Sequence, residues 1–372
     1  MGLSAEINLH KPSNGTYIPG DVVNGVIKWN NDKETIYNKI TVSLKGYGIV
    51  VVKDKYKKRD QMPSYRNCEE YVDIDNVIYD ADKGSLCSIN SNETAFSFTL
   101  PINVPPSFKY SMSKVFECTY PFRRETTLHT TDIKCKIFYY IRIKFNRPGF
   151  MKLSKHFKKE ISVVSGITPN LPAEPVTYSE QKSLFQLLQL FSSKKNLVNL
   201  KARMENAILP SGGIIELNYE VLNNSNVDVK GVEAKLMEIH TFKPNTQTAV
   251  KISTEIRGSQ SRTDVVKSGD TRTTAIKINI PTDCNSIENS NIVTRKYRVF
   301  LKAELPLPHR DIELEIPIQI GAVIDNDNDN NDDNGSKDQP PSYWEAMGEI
   351  KDEDDDCELG DGDAKLLESD NL

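Results

Sequence analysis

The chemistry most readable in this 372-residue chain lies in six residues near its end, Gln339-Pro340-Pro341-Ser342-Tyr343-Trp344. Prolines hold φ near about −65° and pre-form polyproline II, so such a peptide loses little entropy on docking. WW domains take Pro-Pro-x-Tyr ligands in an aromatic-lined groove. Pro340, Pro341, Ser342 and Tyr343 therefore form a candidate WW-domain-binding motif. The motif's usual behaviour stacks the two prolines in the groove and seats Tyr343 in the neighbouring pocket. Trp344 and Met347 add possible apolar contacts. A second candidate is the run Lys53, Lys55, Lys57, Lys58 and Arg59, a basic loop after an apolar strand. Its chemistry suits an anionic lipid surface or an acidic cargo tail, beside the plainer role of a solvated loop. No nucleic-acid fold signature accompanies the charge, so nucleic acid is not an expected partner.

Catalytic spacings are missing. The chain has no G-x-S-x-G, no G-x-x-x-x-G-K-[ST], no G-x-G-x-x-G and no H-E-x-x-H. His10, His129, His156, His240 and His309 are scattered, and each reads as a surface residue or a satisfied core residue. Asp325-x-Asp327-x-Asp329 imitates an EF-hand loop. Asn330 and Ser336 stand where that loop needs Gly and Glu, which leaves weak, unspecific cation binding. None of Cys68, Cys87, Cys118, Cys135, Cys284 and Cys357 forms a C-x-x-C pair. The expectation is a protein without catalytic activity, cofactor or metal site.

The elements that would position these residues read mainly as strands. Ile137, Tyr139, Ile141, Ile143 and Phe145 make one face of a period-2 run, with Arg142 and Lys144 on the other. The same alternation fits Ile40/Val42/Leu44, Phe96/Phe98/Leu100, Ile215/Leu217/Tyr219/Val221 and Ile276/Ile278/Ile280. It also fits Tyr297/Val299/Leu301/Ala303 and Ile312 to Ile320. Pro317 falls on the outward face of the last run. It cannot donate to a ladder, so that strand is expected at an edge or with a bulge. One helical pattern, Ser183 to Phe191, follows a stretch punctuated by Pro169, Pro172 and Pro175, and marks a domain junction. Gly20–Asn31 and Gly213–Asn224 echo each other, each running from a glycine turn through a strand to Asn-Asn. Later, Pro101 and Pro281 each close an apolar strand. Two copies of one sandwich topology would produce this.

Charge divides the chain. Residues 321–372 hold 18 Asp and Glu against 3 Lys, a net of −15, while the whole chain is −5, so residues 1–320 carry +10. Beyond Tyr343 and Trp344 this tail has no aromatic residue, and its composition predicts disorder. The start, Met1 to Gly15, shows no secretory signal, and no apolar run reaches the ~18–20 residues of a membrane span. The expected location is the cytoplasm, with reduced cysteines and unused sequons at Asn14 and Asn92. Glu6 stands where myristoylation after Met1-Gly2 wants Ser or Thr. Asp363-Ala-Lys-Leu-Leu367 resembles an acidic dileucine signal, with Gly362 at its acidic position.

Several segments together resemble arrestin domains. Tyr17–Ile27 (YIPGDVVNGVI) resembles the opening of the N-domain, Phe96–Phe108 its mid-domain signature, and Tyr139–Gly149 the strand and turn after it. Ser286 to Val299 and Leu314–Gly321 resemble the ending of the C-domain. The variety is the arrestin-domain-containing, or α-arrestin, group. Asn30 stands where receptor-desensitising arrestins have a buried Asp, which counts against a phosphate-sensing polar core. The resemblance implies an all-β chain of two arrestin-like, immunoglobulin-type sandwiches followed by the disordered acidic tail. The expected spans are 5–168 (N-like), 169–195 (interdomain segment), 196–322 (C-like) and 323–372 (tail). It further implies an adaptor that links transmembrane cargo or receptor tails to a WW-bearing HECT-type ubiquitin ligase, promoting ubiquitination, endocytosis and sorting. It would work peripherally at the plasma membrane or endosomes, with an anionic membrane surface as a further expected partner. A retromer-like structural trafficking subunit that works without a ligase is the alternative. The spacer from Gly321 to Gln339, 19 residues, would span roughly 25 Å as a flexible coil.

Overall fold

Val, Ile and aromatic residues alternate with polar ones through most of the chain, and the backbone answers with strands. A computed structural model describes residues 2–10, 12, 15–31, 35–56, 64–81, 87–88, 91–119, 126–148, 154–164, 166–172, 174–184, 196–244 and 249–323. Among them there is no α-helix. The first half contributes β1 (Ser4–Leu9), β2 (Val22–Asn30), β3 (Ile36–Tyr37), β4 (Lys39–Tyr56), β5 (Ser64–Asp80), β6 (Cys87–Ser88), β7 (Ser91–Thr99), β8 (Phe108–Thr119), β9 (Thr126–Asn146), β10 (Lys155–Ile161) and β11 (Gly166–Ile167). The second contributes β12 (Val176–Ser183), β13 (Leu197–Met204), β14 (Ile208–Leu209), β15 (Ile214–Asn224), β16 (Gly231–Phe242), β17 (Val250–Glu255), β18 (Ser261–Arg262), β19 (Thr271–Asn279), β20 (Val293–Glu304), β21 (Ile312–Ile320) and β22 (Ala322–Val323).

Each half is a two-sheet sandwich. In the first, β1-β2-β7 faces β10-β9-β4-β5, with β8 also on β9. In the second, β12-β13-β15-β19 faces β14-β21-β20-β16-β17, with β18 on β16. The orders β1-β2-β7 and β13-β15-β19 correspond, as do β10-β9-β4-β5 and β21-β20-β16-β17. The repeated glycine-to-Asn-Asn segments are thus β2 and β15, the middle strands of equivalent sheets, and Pro101 and Pro281 follow the equivalent strands β7 and β19. Asn223 at the end of β15 is fully buried, and its amide donates to the carbonyls of Val227, Val266 and Lys267, tying off the turn.

Every apolar face read from the alternation is buried. Ile40, Val42 and Leu44 face the first core with Ile141, Ile143 and Phe145, and Ile215, Leu217, Tyr219 and Val221 face the second with Val299 and Leu301. Burying each such side chain favours folding by roughly 1.5–3 kcal/mol before ordering entropy is charged against it. Pro317 is exposed, on a strand flanked along that stretch by β20 alone, so the edge expectation holds and no bulge interrupts its register. The sequence pattern missed β12. All of its side chains are exposed or half-buried, so it shows no apolar face, yet it pairs with β13 from Val176 to Ser183. Ser183 therefore ends a strand instead of starting a helix, and Leu184 is buried in the second core. Residues 185–195, the rest of the helical pattern, lie outside the described residues.

The short strand β22 pairs with β11 in parallel, joining the end of one sandwich to the end of the other. This placement fixes where the tail can be cut. Deleting residues 325–372 is expected to shift the melting temperature by no more than about 2 °C, because that segment carries few apolar groups to bury. A fall of many degrees in a thermal melt would contradict the composition argument. A cut after Gly321 would remove β22 as well and would not test it.

Candidate functional site

The sandwiches differ in strand length, and that difference builds a polar joint between them. β4, β5 and β9 run for 18, 17 and 21 residues, whereas their counterparts β16, β17 and β20 have 12, 6 and 12. The near half of the longer sheet covers β1-β2-β7. The far half, with Val50, Val52, Ile133 and Cys135, packs in one apolar cluster with Phe242, Ile252, Ile287, Ile292 and Val293 of the second sandwich. Tyr110 and Phe242 meet at 4.8 Å between ring centroids. Gly48 on β4 leaves room for this approach, since a Cβ there would lie 2.7 Å from Ile292 Cδ1.

A polar clamp borders the apolar contact. Glu69 on β5 accepts hydrogen bonds from the Asn291 amide nitrogen (2.8 Å), Asn291 Nδ2 (2.6 Å) and Ser290 Oγ (3.0 Å). The Tyr71 hydroxyl and Ser290 Oγ are 2.8 Å apart, and Asn67 Nδ2 donates to the Lys243 carbonyl at 3.1 Å. One carboxylate thus gathers three donors from a loop of the other sandwich, and charge-assisted bonds of this kind are the stronger class. A second tie lies near β11 and β22. Gln319 Nε2 donates to Thr168 O and Glu288 Oε2, Gln319 Oε1 accepts from Asn170 N, and Asn170 Nδ2 donates to Glu288.

His240 sits inside this joint, 2% exposed, with its ring stacked on Phe108 (5.7 Å) and Phe242 (5.6 Å) and tilted against Tyr110 (4.7 Å). Neither ring nitrogen has a hydrogen-bond partner among the described residues. Burial pushes its pKa down from 6.5 to about 4, the Arg295 charge adds to the depression, and Glu238 opposes it. Glu238 Oε2 lies 3.7 Å from Nδ1, but the imidazole is neutral and that carboxylate is held by Arg295 Nε (2.6 Å) and the Tyr297 hydroxyl (3.1 Å). The sequence reading of a core histidine with satisfied nitrogens therefore needs correcting. The residue is core, but it is held by ring stacking.

The residues singled out in the sequence are placed unevenly. Lys53 is exposed on β4, its Cα paired with Ser64 and Asp132. Lys55 continues the same strand opposite Thr130. Lys57, Lys58 and Arg59, and Pro340, Pro341, Ser342 and Tyr343, lie outside the described residues, as do Gly149, the EF-hand-like run and the dileucine-like segment. Asn30 is exposed at the end of β2. Among the described residues no group of three or more His, Cys, Asp or Glu side chains is placed to hold a metal ion, and no helix is long and apolar enough to cross a membrane. Cys68, Cys135 and Cys284 are free thiols, and burial pushes Cys135 up to about 12.

Residues 5–170 match the arrestin (or S-antigen) N-terminal domain, and residues 194–324 match the arrestin (or S-antigen) C-terminal domain. The chain belongs to the arrestin-domain family. Among curated proteins, none matches it. Arrestin-family proteins are generally adaptors without catalytic activity, binding cargo and trafficking machinery. In this arrestin-domain protein the joint residues Glu69, Tyr71, His240, Ser290 and Asn291 were not legible as a group. Glu69 and Tyr71 sit in an acidic edge-strand run that reads as a solvated face, and Ser290-Asn291 reads as an ordinary polar loop.

Proposed function

We propose that this arrestin-domain protein is a cytoplasmic adaptor. Its two sandwiches engage a membrane protein. Its Pro340-Pro341-Ser342-Tyr343 motif recruits a WW-domain protein, in the first instance a HECT-type ubiquitin ligase. Ubiquitin is then placed on the cargo or on the adaptor's own lysines, and the cargo is internalised or sorted at the plasma membrane or endosomes. The observation that carries the reading is the pairing, in one chain, of two arrestin domains with a Pro-Pro-x-Tyr motif 19 residues beyond Gly321. The basic run from Lys53 to Arg59 supports peripheral contact with anionic lipid or an acidic cargo tail. Only one such motif is present, so avidity through a second is not available in this chain.

Titrating an isolated WW domain of a HECT ligase onto the full chain tests the reading. Saturable binding is expected, with at least a roughly tenfold loss in Tyr343→Ala, since that ring fills its own pocket. Equal binding by both chains, or none by either, would favour a retromer-like structural subunit that works without a ligase.

A further inference from the structure

The large sheet of the first sandwich changes partners along one edge of β9. β10 pairs with β9 up to Ile161, opposite Tyr139, and β8 pairs with it from Phe108, opposite Ile137. Phe138 stands between these two ladders and belongs to neither. A cavity of about 420 Å³ opens at this step, and Leu9, Tyr17, Phe108, Phe138 and Ile161 supply the apolar part of its wall. That volume falls within the roughly 300–1,000 Å³ of small-molecule sites.

Tyr17 is the fixed point of this wall. Its amide donates to the Ser162 carbonyl (2.9 Å) and its carbonyl accepts from the Val164 amide (2.8 Å), so the residue is anchored through both backbone groups. Tyr17 is 1% exposed, and its hydroxyl has no hydrogen-bond partner among the described residues. A hydroxyl buried in this way costs stability, and phenylalanine would fill the same space without that cost. Other polar groups at the step are engaged. Ser107 Oγ accepts from the Val163 amide (3.0 Å), and Lys136 Nζ donates to Glu160 (2.9 Å), which leaves that pair neutral. We propose that the cavity binds a small, uncharged, mainly apolar molecule carrying one oxygen. The oxygen pairs with the Tyr17 hydroxyl, and the body lies against Leu9, Phe138 and Ile161. Water alone suits the site less well, because a buried water needs about two to four polar partners and this wall is mainly apolar. The bound molecule ties β1, β8, β9 and β10 together where the sheet changes partners, and it stabilises the folded chain by mass action.

The test uses the full chain and three probes that share one bicyclic body. They are 2-naphthol, 2-methylnaphthalene, which lacks the oxygen, and 2-naphthoate, which carries a charge. Binding is followed by naphthalene fluorescence and by the shift that each probe gives in the melting curve. Saturable binding of 2-naphthol is expected, roughly tenfold tighter than that of 2-methylnaphthalene. Tyr17→Phe is expected to erase this preference, while its melting temperature without probe equals or exceeds that of the natural chain. Leu9→Trp adds bulk to the wall and is expected to weaken binding of every probe, with a melting curve checking that it folds. No saturable binding of 2-naphthol, or no preference for it over 2-methylnaphthalene, would overturn the proposal. So would a preference that survives Tyr17→Phe, or unchanged binding in folded Leu9→Trp. Tightest binding of 2-naphthoate would make the site one for anions and overturn it too. A lowered melting temperature in Tyr17→Phe would do the same, since the hydroxyl would then serve a structural partner such as water.

Discussion

Gly46→Ala is expected to destabilise the folded chain by about 3 kcal/mol, seen as a lowered midpoint in urea or heat. Gly46 stands on the inner face of β4, opposite Tyr139 of β9. A Cβ there would overlap the Tyr139 ring and lie 2.7 Å from Val72 Cγ1. The ring has nowhere to go. Tyr139 is fully buried, and its hydroxyl donates to the Pro105 carbonyl at 2.6 Å. A buried phenol that left this partner would add an unsatisfied group to the steric cost. Combining Gly46→Ala with Tyr139→Leu discriminates the cause. If the clash is with the ring, the double variant loses less stability than the two singles added together. Simple additivity would mean that the penalty comes from backbone changes and not from the ring.

The second large effect depends on pH. His240 is neutral in the folded joint, with a pKa near 4, and regains its ordinary 6.5 when the chain unfolds. Between these values the unfolded chain binds the extra proton, so stability falls as pH drops from about 6.5 toward 4 and levels off below. The loss attached to this one residue is on the order of 3 kcal/mol. His240→Phe keeps a ring in the stack against Tyr110 and Phe242 but removes the titration. The stability difference between the variant and the natural chain, followed by denaturation across that window, should therefore grow in the variant's favour as the solution is acidified. A difference that stays constant with pH would show that the imidazole is not held neutral in the joint.

These sites mark where the sequence was legible and where it was not. Ile141, Ile143 and Phe145 announce their buried face because alternation on a half-buried strand is a local property. The same holds for Ile312 to Ile320, and there Pro317 even announces the edge. β12 was invisible because an edge strand with few buried side chains carries no such signal. The joint was invisible for another reason. Glu69 and Asn291 are 222 positions apart, and nothing local to either says that they meet. His240 is similar, since its ring stacks come from β8 and β16, in different sandwiches. The Pro-Pro-x-Tyr motif is the opposite case, since its chemistry is complete within four residues and needs no fold to be recognised.

The central claim is that one chain carries cargo at its sandwiches and a ligase at its tail. Capturing the tagged full chain from its native cells under gentle crosslinking, beside Tyr343→Ala, tests this most directly. The membrane proteins in each capture, their ubiquitin content and the accompanying ligase would be quantified by mass spectrometry. The account predicts that both chains retain the same membrane proteins, while only the natural chain retains a WW-bearing ligase and ubiquitin-modified cargo. Undiminished cargo ubiquitination and ligase recovery with Tyr343→Ala would contradict it.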